Sequence, residues 1–208
     1  MHRPSALFPP PPDPPVAIES RALGTLAYIR ASIESAGSMD VPGMAGIVMG
    51  VIGLLASVVV STPRAAPHWL GIWLSAAAVA LLFGGGLVAH QVARSGQARF
   101  LGPARRFLLC LCPALLAGAV LTLVLWGAAV DAIPGMWLLL YGCAVLSAST
   151  VTNAAITRLV CTMGALYVAL GCIAFALPAA AHTAMLGLGF GALHIVFGVL
   201  IGRSTRGG

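Results

Sequence analysis

The sequence predicts an all-α membrane bundle of six transmembrane helices, and three observations carry that prediction. Hydrophobic residues make up 60% of the 208 and charged residues only 8%, with a mean hydropathy of +1.01. A water-soluble fold cannot hide that much apolar surface. Apolar stretches of about 20 residues, the length that crosses a hydrocarbon core about 30 Å thick, recur along the chain. Alternating apolar and polar runs of about ten residues, which a membrane barrel needs, are absent, and helices are then the remaining way to span lipid.

Six spans are expected, at 44–61, 69–90, 107–130, 134–151, 159–178 and 183–202, together forming a transmembrane domain over 43–203. Residues 1–15 form a Pro-rich tail, all proline at 9–12 and 14–15, whose composition favours extended, disordered chain. That tail has no apolar core followed by a small-residue cleavage site, so no signal peptide is expected and the first span directs insertion. Over 16–37, Leu23, Leu26, Ile29 and Ile33 share one helical face, with Glu19, Arg21, Thr25, Ser32 and Glu34 largely elsewhere. The pattern is that of an amphipathic helix lying in the headgroup plane, with docking to a partner as the alternative. Gly37 and Ser38 supply its stop before Pro42.

The net charge of +6 sits in loops that flank apolar spans. Topology, not nucleic acid, accounts for it. With six spans, Arg3, Arg21, Arg30, Arg94, Arg99, Arg105, Arg106, Arg158, Arg203 and Arg206 fall on one side and Arg64 alone on the other. The positive-inside rule then puts both termini in the cytoplasm. Lysine is missing and alanine abundant, a bias toward GC-rich codons that suggests a bacterial inner membrane. The expected partner is the lipid bilayer.

Prolines lie near three outer turns, at Pro63 and Pro67, Pro134 and Pro178, so the spans pair as hairpins. Met49-Gly50 before Pro63 and His68 is echoed by Met163-Gly164 before Pro178 and His182, a pattern that suggests three tandem hairpins. Leu70-Gly71-Ile72-Trp73-Leu74 after Pro63 resembles a stretch of the HdeD-like bacterial inner-membrane proteins, which look like three tandem hairpins. Ala27-Tyr28-Ile29-Arg30, Trp137-Leu138-Leu139-Leu140-Tyr141-Gly142 and His194-Ile195-Val196-Phe197-Gly198 give the whole chain a similarity to uncharacterised six-helix bacterial proteins. The resemblance implies the hairpin architecture and carries no established activity.

Small residues mark the expected contact faces. At about 100° per residue, Gly187, Gly191, His194, Gly198 and Gly202 fall in one arc of the last span. Gly43, Gly46, Gly50, Gly53 and Ser57 form a matching stripe on the first, and small-xxx-small spacing lets membrane helices approach closely. His194, at mid-span, is the candidate intramembrane polar site, because an ionisable group there needs a partner. Tyr167, on the side of the fifth span that carries Gly164, Gly171 and Ala174, offers that partner; Tyr141, Thr152 and Asn153 of the fourth span are others. Two roles stay open for the imidazole: a neutral bond across helices, or contact with a proton or solute. A homo-oligomer or a membrane-protein partner, seated on an exposed glycine stripe, is the assembly this pattern allows.

No metal, cofactor or catalytic constellation is expected. His68, His182, Asp131 and Arg64 fall at outer turns, with one residue per loop and no local spacing. His90 ends the second span at an interface. The cysteines Cys110, Cys112, Cys143, Cys161 and Cys172 are odd in number and read as small buried packing residues, while Pro113 marks a kink or a helix start. Spans without carboxylates or nucleophile–base pairs argue against an enzyme. The favoured role is non-enzymatic, in envelope homeostasis, regulation or assembly through partner contacts. A small transporter or channel for a neutral or protonatable solute is the alternative, and a Gly84-Gly85-Gly86 break in the second span favours it.

Overall fold

The computed structural model describes residues 23–26, 28, 41–94 and 98–205, and the chain divides into two units, 1–36 and 37–208. In the first unit the described residues are helical, with Leu23, Leu26 and Tyr28 exposed. The Pro-rich tail and most of the expected amphipathic helix at 16–37 lie outside the described residues.

The second unit is a bundle of α-helices. α1 (Gly43–Val60) starts after an extended Pro42 and ends where the Ser61 hydroxyl donates to the Ser57 carbonyl. A turn through Pro63 and a 3-10 turn (Ala66–His68), with Pro67 at its start, lead to α2 (Trp69–Arg94). α3 (Ala98–Trp126) comes next. α4 (Ile133–Ser149) carries Pro134 in its first turn, where the missing N–H leaves no partner unsatisfied. α5 (Ala154–Ala176) is capped by Asn153, whose side chain accepts from Ala155 N at 3.1 Å. The last span contains α6 (His182–Leu186), a π-helical segment (Gly187–Leu193) and α7 (His194–Ser204).

Among the described residues, six helices are long and apolar enough to cross a membrane. Their outward faces carry large exposed apolar side chains, such as Leu82 and Leu123, as a lipid surrounding requires. Arg94, Arg99, Arg105, Arg106, Arg158 and Arg203 fall at helix ends on one side of this up-down bundle, and Arg64 in a turn on the other.

Several boundaries differ from expectation. α3 begins well before 107, and neither Pro103 nor Pro113 starts or breaks it; in lipid, neighbouring groups compensate a proline inside a helix. α2 runs through Gly84, Gly85 and Gly86 without a break, and a Cβ added at Gly85 or Gly86 would meet nothing within 4 Å. The fourth helix stops at Ser149, so Thr152 and Asn153 belong to a turn. Cys112, Cys143, Cys161 and Cys172 are exposed on the bundle surface and Cys110 is half-buried. Apolar neighbours in sequence do not distinguish a lipid-facing cysteine from a buried one.

The helices succeed one another around a ring in chain order. The closest seams join the last span to α1 and α4 to α5; α3 packs on α4, and α1 on α2. α5 meets the last span more lightly, and α2 scarcely touches α3. The tightest seams therefore join the third hairpin to the first and to the second.

Glycine explains the two closest approaches. At the α4–α5 seam, a Cβ on Gly142 would stand 2.9 Å from Gly164 O, and one on Gly171 would stand 3.0 Å from Gly135 O. Along α1, a Cβ on Gly50 would lie 2.7 Å from Gly191 O, and one on Gly198 would lie 2.7 Å from Gly43 O. A Cβ on Gly46 would stand 3.2 Å from Gly198 Cα, and one on Gly202 3.9 Å from Gly43 Cα. Backbones this close leave no room for a methyl group, which is how membrane helices gain contact without a hydrophobic drive. Both stripes expected on the first and last spans thus face each other, and neither is left for a second copy.

Candidate functional site: an intramembrane polar relay beside a cavity

His194 opens α7 directly after the π-helical segment. A π turn holds one residue more than an α turn and so rotates the rest of the helix about its axis. The backbone of His194 consequently stays against α1, its carbonyl 3.3 Å from the position of a Gly46 Cβ, while the ring meets Tyr141 of α4 and Tyr167 of α5. The straight α-helical arc expected for the last span does not contain that turn.

The imidazole is held at both nitrogens. Tyr167 Oη lies 2.6 Å from Nδ1, and Tyr141 Oη lies 2.8 Å from Nε2. Tyr167 also donates to the carbonyl of Gly189 in the π segment at 2.6 Å. A phenol has one hydrogen and a carbonyl has none, so the Tyr167 hydrogen goes to Gly189 and Nδ1 must carry its own. Nε2 then accepts from Tyr141. Asp131, in the outer turn before α4, is the one acidic residue after Asp40; no carboxylate in the spans offsets a charged ring, and the neutral tautomer satisfies every atom. The result is a directed relay: Tyr141 O–H to Nε2, Nδ1–H to Tyr167, Tyr167 O–H to Gly189.

The aromatic rings pack accordingly. Tyr141 and Tyr167 have centroids 4.8 Å apart, and Phe190 stacks on His194 at 6.3 Å with an interplanar angle of 22°. Tyr167 is fully buried and Tyr141 half-buried, so the relay runs from a partly open end to a closed one.

At the Tyr141 end lies a cavity of about 380 Å³, bounded by α1, α2, α3, α4 and the last span. Its lining residues are mostly aliphatic, joined by His194, Tyr141, Thr122, Trp137 and Trp73. The Trp137 Nε1–H donates to Thr122 Oγ1 at 2.7 Å, and Thr122 donates to the Gly118 carbonyl at 2.6 Å. Trp73 is 4% exposed, and its buried Nε1–H has no acceptor among the described residues. Leaving such a donor unpaired costs about 1–3 kcal/mol.

The other expected candidates stand apart. Thr152 donates to Ser149 O at 2.7 Å within the α4–α5 turn, far from His194 in the fold. His182 is buried, its Nε2 shared between the carbonyls of Ala174 and Leu177 at 3.2 Å each, where it satisfies the end of α5. His68, His90, Arg64 and Asp131 are exposed. Among the described residues no three histidine, cysteine or acidic side chains gather to hold a metal ion. Sequence reasoning missed Trp73, Phe190 and the Thr122–Trp137 pair. It also missed Gly135 and Gly142, although their seven-residue spacing matches that of Gly164 and Gly171 and marks one contact face.

Fold and site together define a multi-pass α-helical membrane protein with a polar relay and a cavity among its spans. Compared with known protein families, with curated proteins and with solved structures, the chain matches none of them.

Proposed function

We propose that this chain is a non-enzymatic protein of a bacterial inner membrane, both termini cytoplasmic, that binds a small solute in the cavity between its spans. One observation carries the reading: a cavity of about 380 Å³, within the range of small-molecule sites, ends on the Tyr141–His194 pair. Mostly apolar walls with a few convergent polar groups are what such sites are made of. The six arginines at helix ends on one side, against Arg64 on the other, support the orientation.

Thermal unfolding of the purified chain in mild detergent, against a library of small uncharged and protonatable solutes, tests the proposal. A stabilising solute is expected to lose its effect in Ala114→Phe, which fills the cavity. A library without a single stabilising member, or an effect that survives the filled cavity, overturns it.

A second role is supported by Leu23 and Leu26, which are helical and exposed in the first unit. An apolar pair of this kind suits a membrane surface or a partner in envelope homeostasis, regulation or assembly. Deleting residues 16–36 is expected to abolish that role and leave solute binding intact; complementation that survives the deletion sinks it.

A further inference from the structure

The cavity is open on one side. Leu81 of α2 and Leu115 of α3 both line it, yet they are 55% and 39% exposed on the outer surface of the bundle. α2 and α3 scarcely touch, so the opening is the gap between them. Leu81 sits near the middle of the Ala66–His90 span and Leu115 near the middle of Gly102–Trp126. The mouth therefore faces the hydrocarbon core of the bilayer and not water.

The polar atoms at the cavity wall define what an occupant must offer. The Tyr141 hydrogen is committed to His194, the Trp137 hydrogen to Thr122 and the Thr122 hydrogen to Gly118. The Tyr141 and Thr122 oxygens are left as acceptors with a spare lone pair. Trp73 Nε1–H, although unpaired, is buried out of an occupant's reach, and both Trp73 and Tyr141 pack on the ring of Phe190, at 6.3 and 5.2 Å. A hydroxyl group answers those acceptors without carrying a charge, because it has one hydrogen to donate. A charged head finds no counter-ion there, since the lining contains no acidic, lysine or arginine side chain. At ~30 Å³ for each water-sized unit, the cavity holds roughly a dozen heavy atoms.

We infer that the cavity takes an uncharged, lipid-soluble alcohol that enters from the bilayer core between α2 and α3 and donates its hydroxyl hydrogen to the Tyr141 or Thr122 oxygen. This rests on the solute-binding reading and narrows it to one chemical class and one route.

The test uses the full chain in phosphatidylcholine vesicles and three photoreactive probes of equal chain length, each carrying a diazirine: an alcohol, an alkane and a carboxylate. The alcohol is expected to form adducts on the cavity wall around Ala77 and Ala114 that unlabelled alcohol competes away. Tyr141→Phe and Thr122→Val are each expected to reduce that labelling about tenfold relative to the alkane, and Leu115→Trp, at the mouth, to slow it. Alkane adducts as abundant as those of the alcohol, and equally indifferent to both variants, overturn the hydroxyl assignment. Stronger labelling by the carboxylate overturns it too, while leaving solute binding in place. If no probe reaches the cavity wall, solute binding and the inference fail together. An unchanged rate in Leu115→Trp overturns entry from lipid. Competition in the unaltered chain carries the test if a variant fails to fold.

Discussion

The hydroxyl of Tyr167 stands 2.6 Å from His194 Nδ1 and 2.6 Å from the carbonyl oxygen of Gly189. One phenol thereby joins α5 to a π-helical detour in the last span and to the residue that follows it. The direction of its single hydrogen sets the tautomer of the imidazole and, through it, the direction of the bond from Tyr141.

The ring proton of His194 is expected on Nδ1. Nitrogen spectra of ring-labelled histidine in the purified chain are expected to show a protonated Nδ1 and an unprotonated Nε2. In Tyr167→Phe, which removes the acceptor, the signals should become a mixture of tautomers. A native spectrum with the proton on Nε2 contradicts the relay.

The two tyrosines should differ in their contribution to stability. Tyr167→Phe takes the acceptor from the Nδ1–H in a sealed interior, at a cost of about 1–3 kcal/mol. Tyr141→Phe strands only Nε2, which borders the cavity, and about 1 kcal/mol is expected. Thermal unfolding in detergent monitored by circular dichroism measures both, and equal losses would contradict the closed-end, open-end arrangement.

Glycines at the seams should separate from glycines on the lipid face. Gly142→Ala puts a methyl group 2.8 Å from Val168 N and 2.9 Å from Gly164 O, against backbone that cannot yield. A loss of about 1–3 kcal/mol is expected. Gly85→Ala meets nothing within 4 Å, so its expected effect is neutral or slightly stabilising. The same unfolding measurement applies, and a harmless Gly142→Ala would mean that α4 and α5 do not approach as described.

Sidedness is open to a labelling experiment. Single cysteines at Thr62 and Asp131, introduced into a chain freed of its own cysteines, are expected to react with an impermeant maleimide from outside intact cells. A cysteine at Thr150 is expected to react only after the cells are opened. The reverse pattern inverts the proposed topology.

The number of spans was legible because crossing hydrocarbon imposes a length, and apolar runs of that length are hard to mistake. Their ends were less so: Arg99, Arg105 and Arg106 read as loop, yet they belong to the first turns of α3. The stripes containing Gly46, Gly50, Gly187, Gly191, Gly198 and Gly202 were visible as spacing, and the structure shows which stripe each one meets. For His194, sequence position offered four partners, and the structure joins it to Tyr141 and Tyr167. The π turn that aims the ring has no residue signature of its own. The cavity was hidden for a different reason, since it depends on which neighbours in the ring fail to touch, a property of the whole circuit and of no single segment.

α3 buries only 6% of its apolar window, against 56% for α4, and α4 is the one helix it packs on closely. It hangs like a door on a single hinge post. The pressure of the surrounding acyl chains, more than any protein contact, then decides how wide that door stands, so bilayer thickness and fluidity become part of the chamber's dimensions.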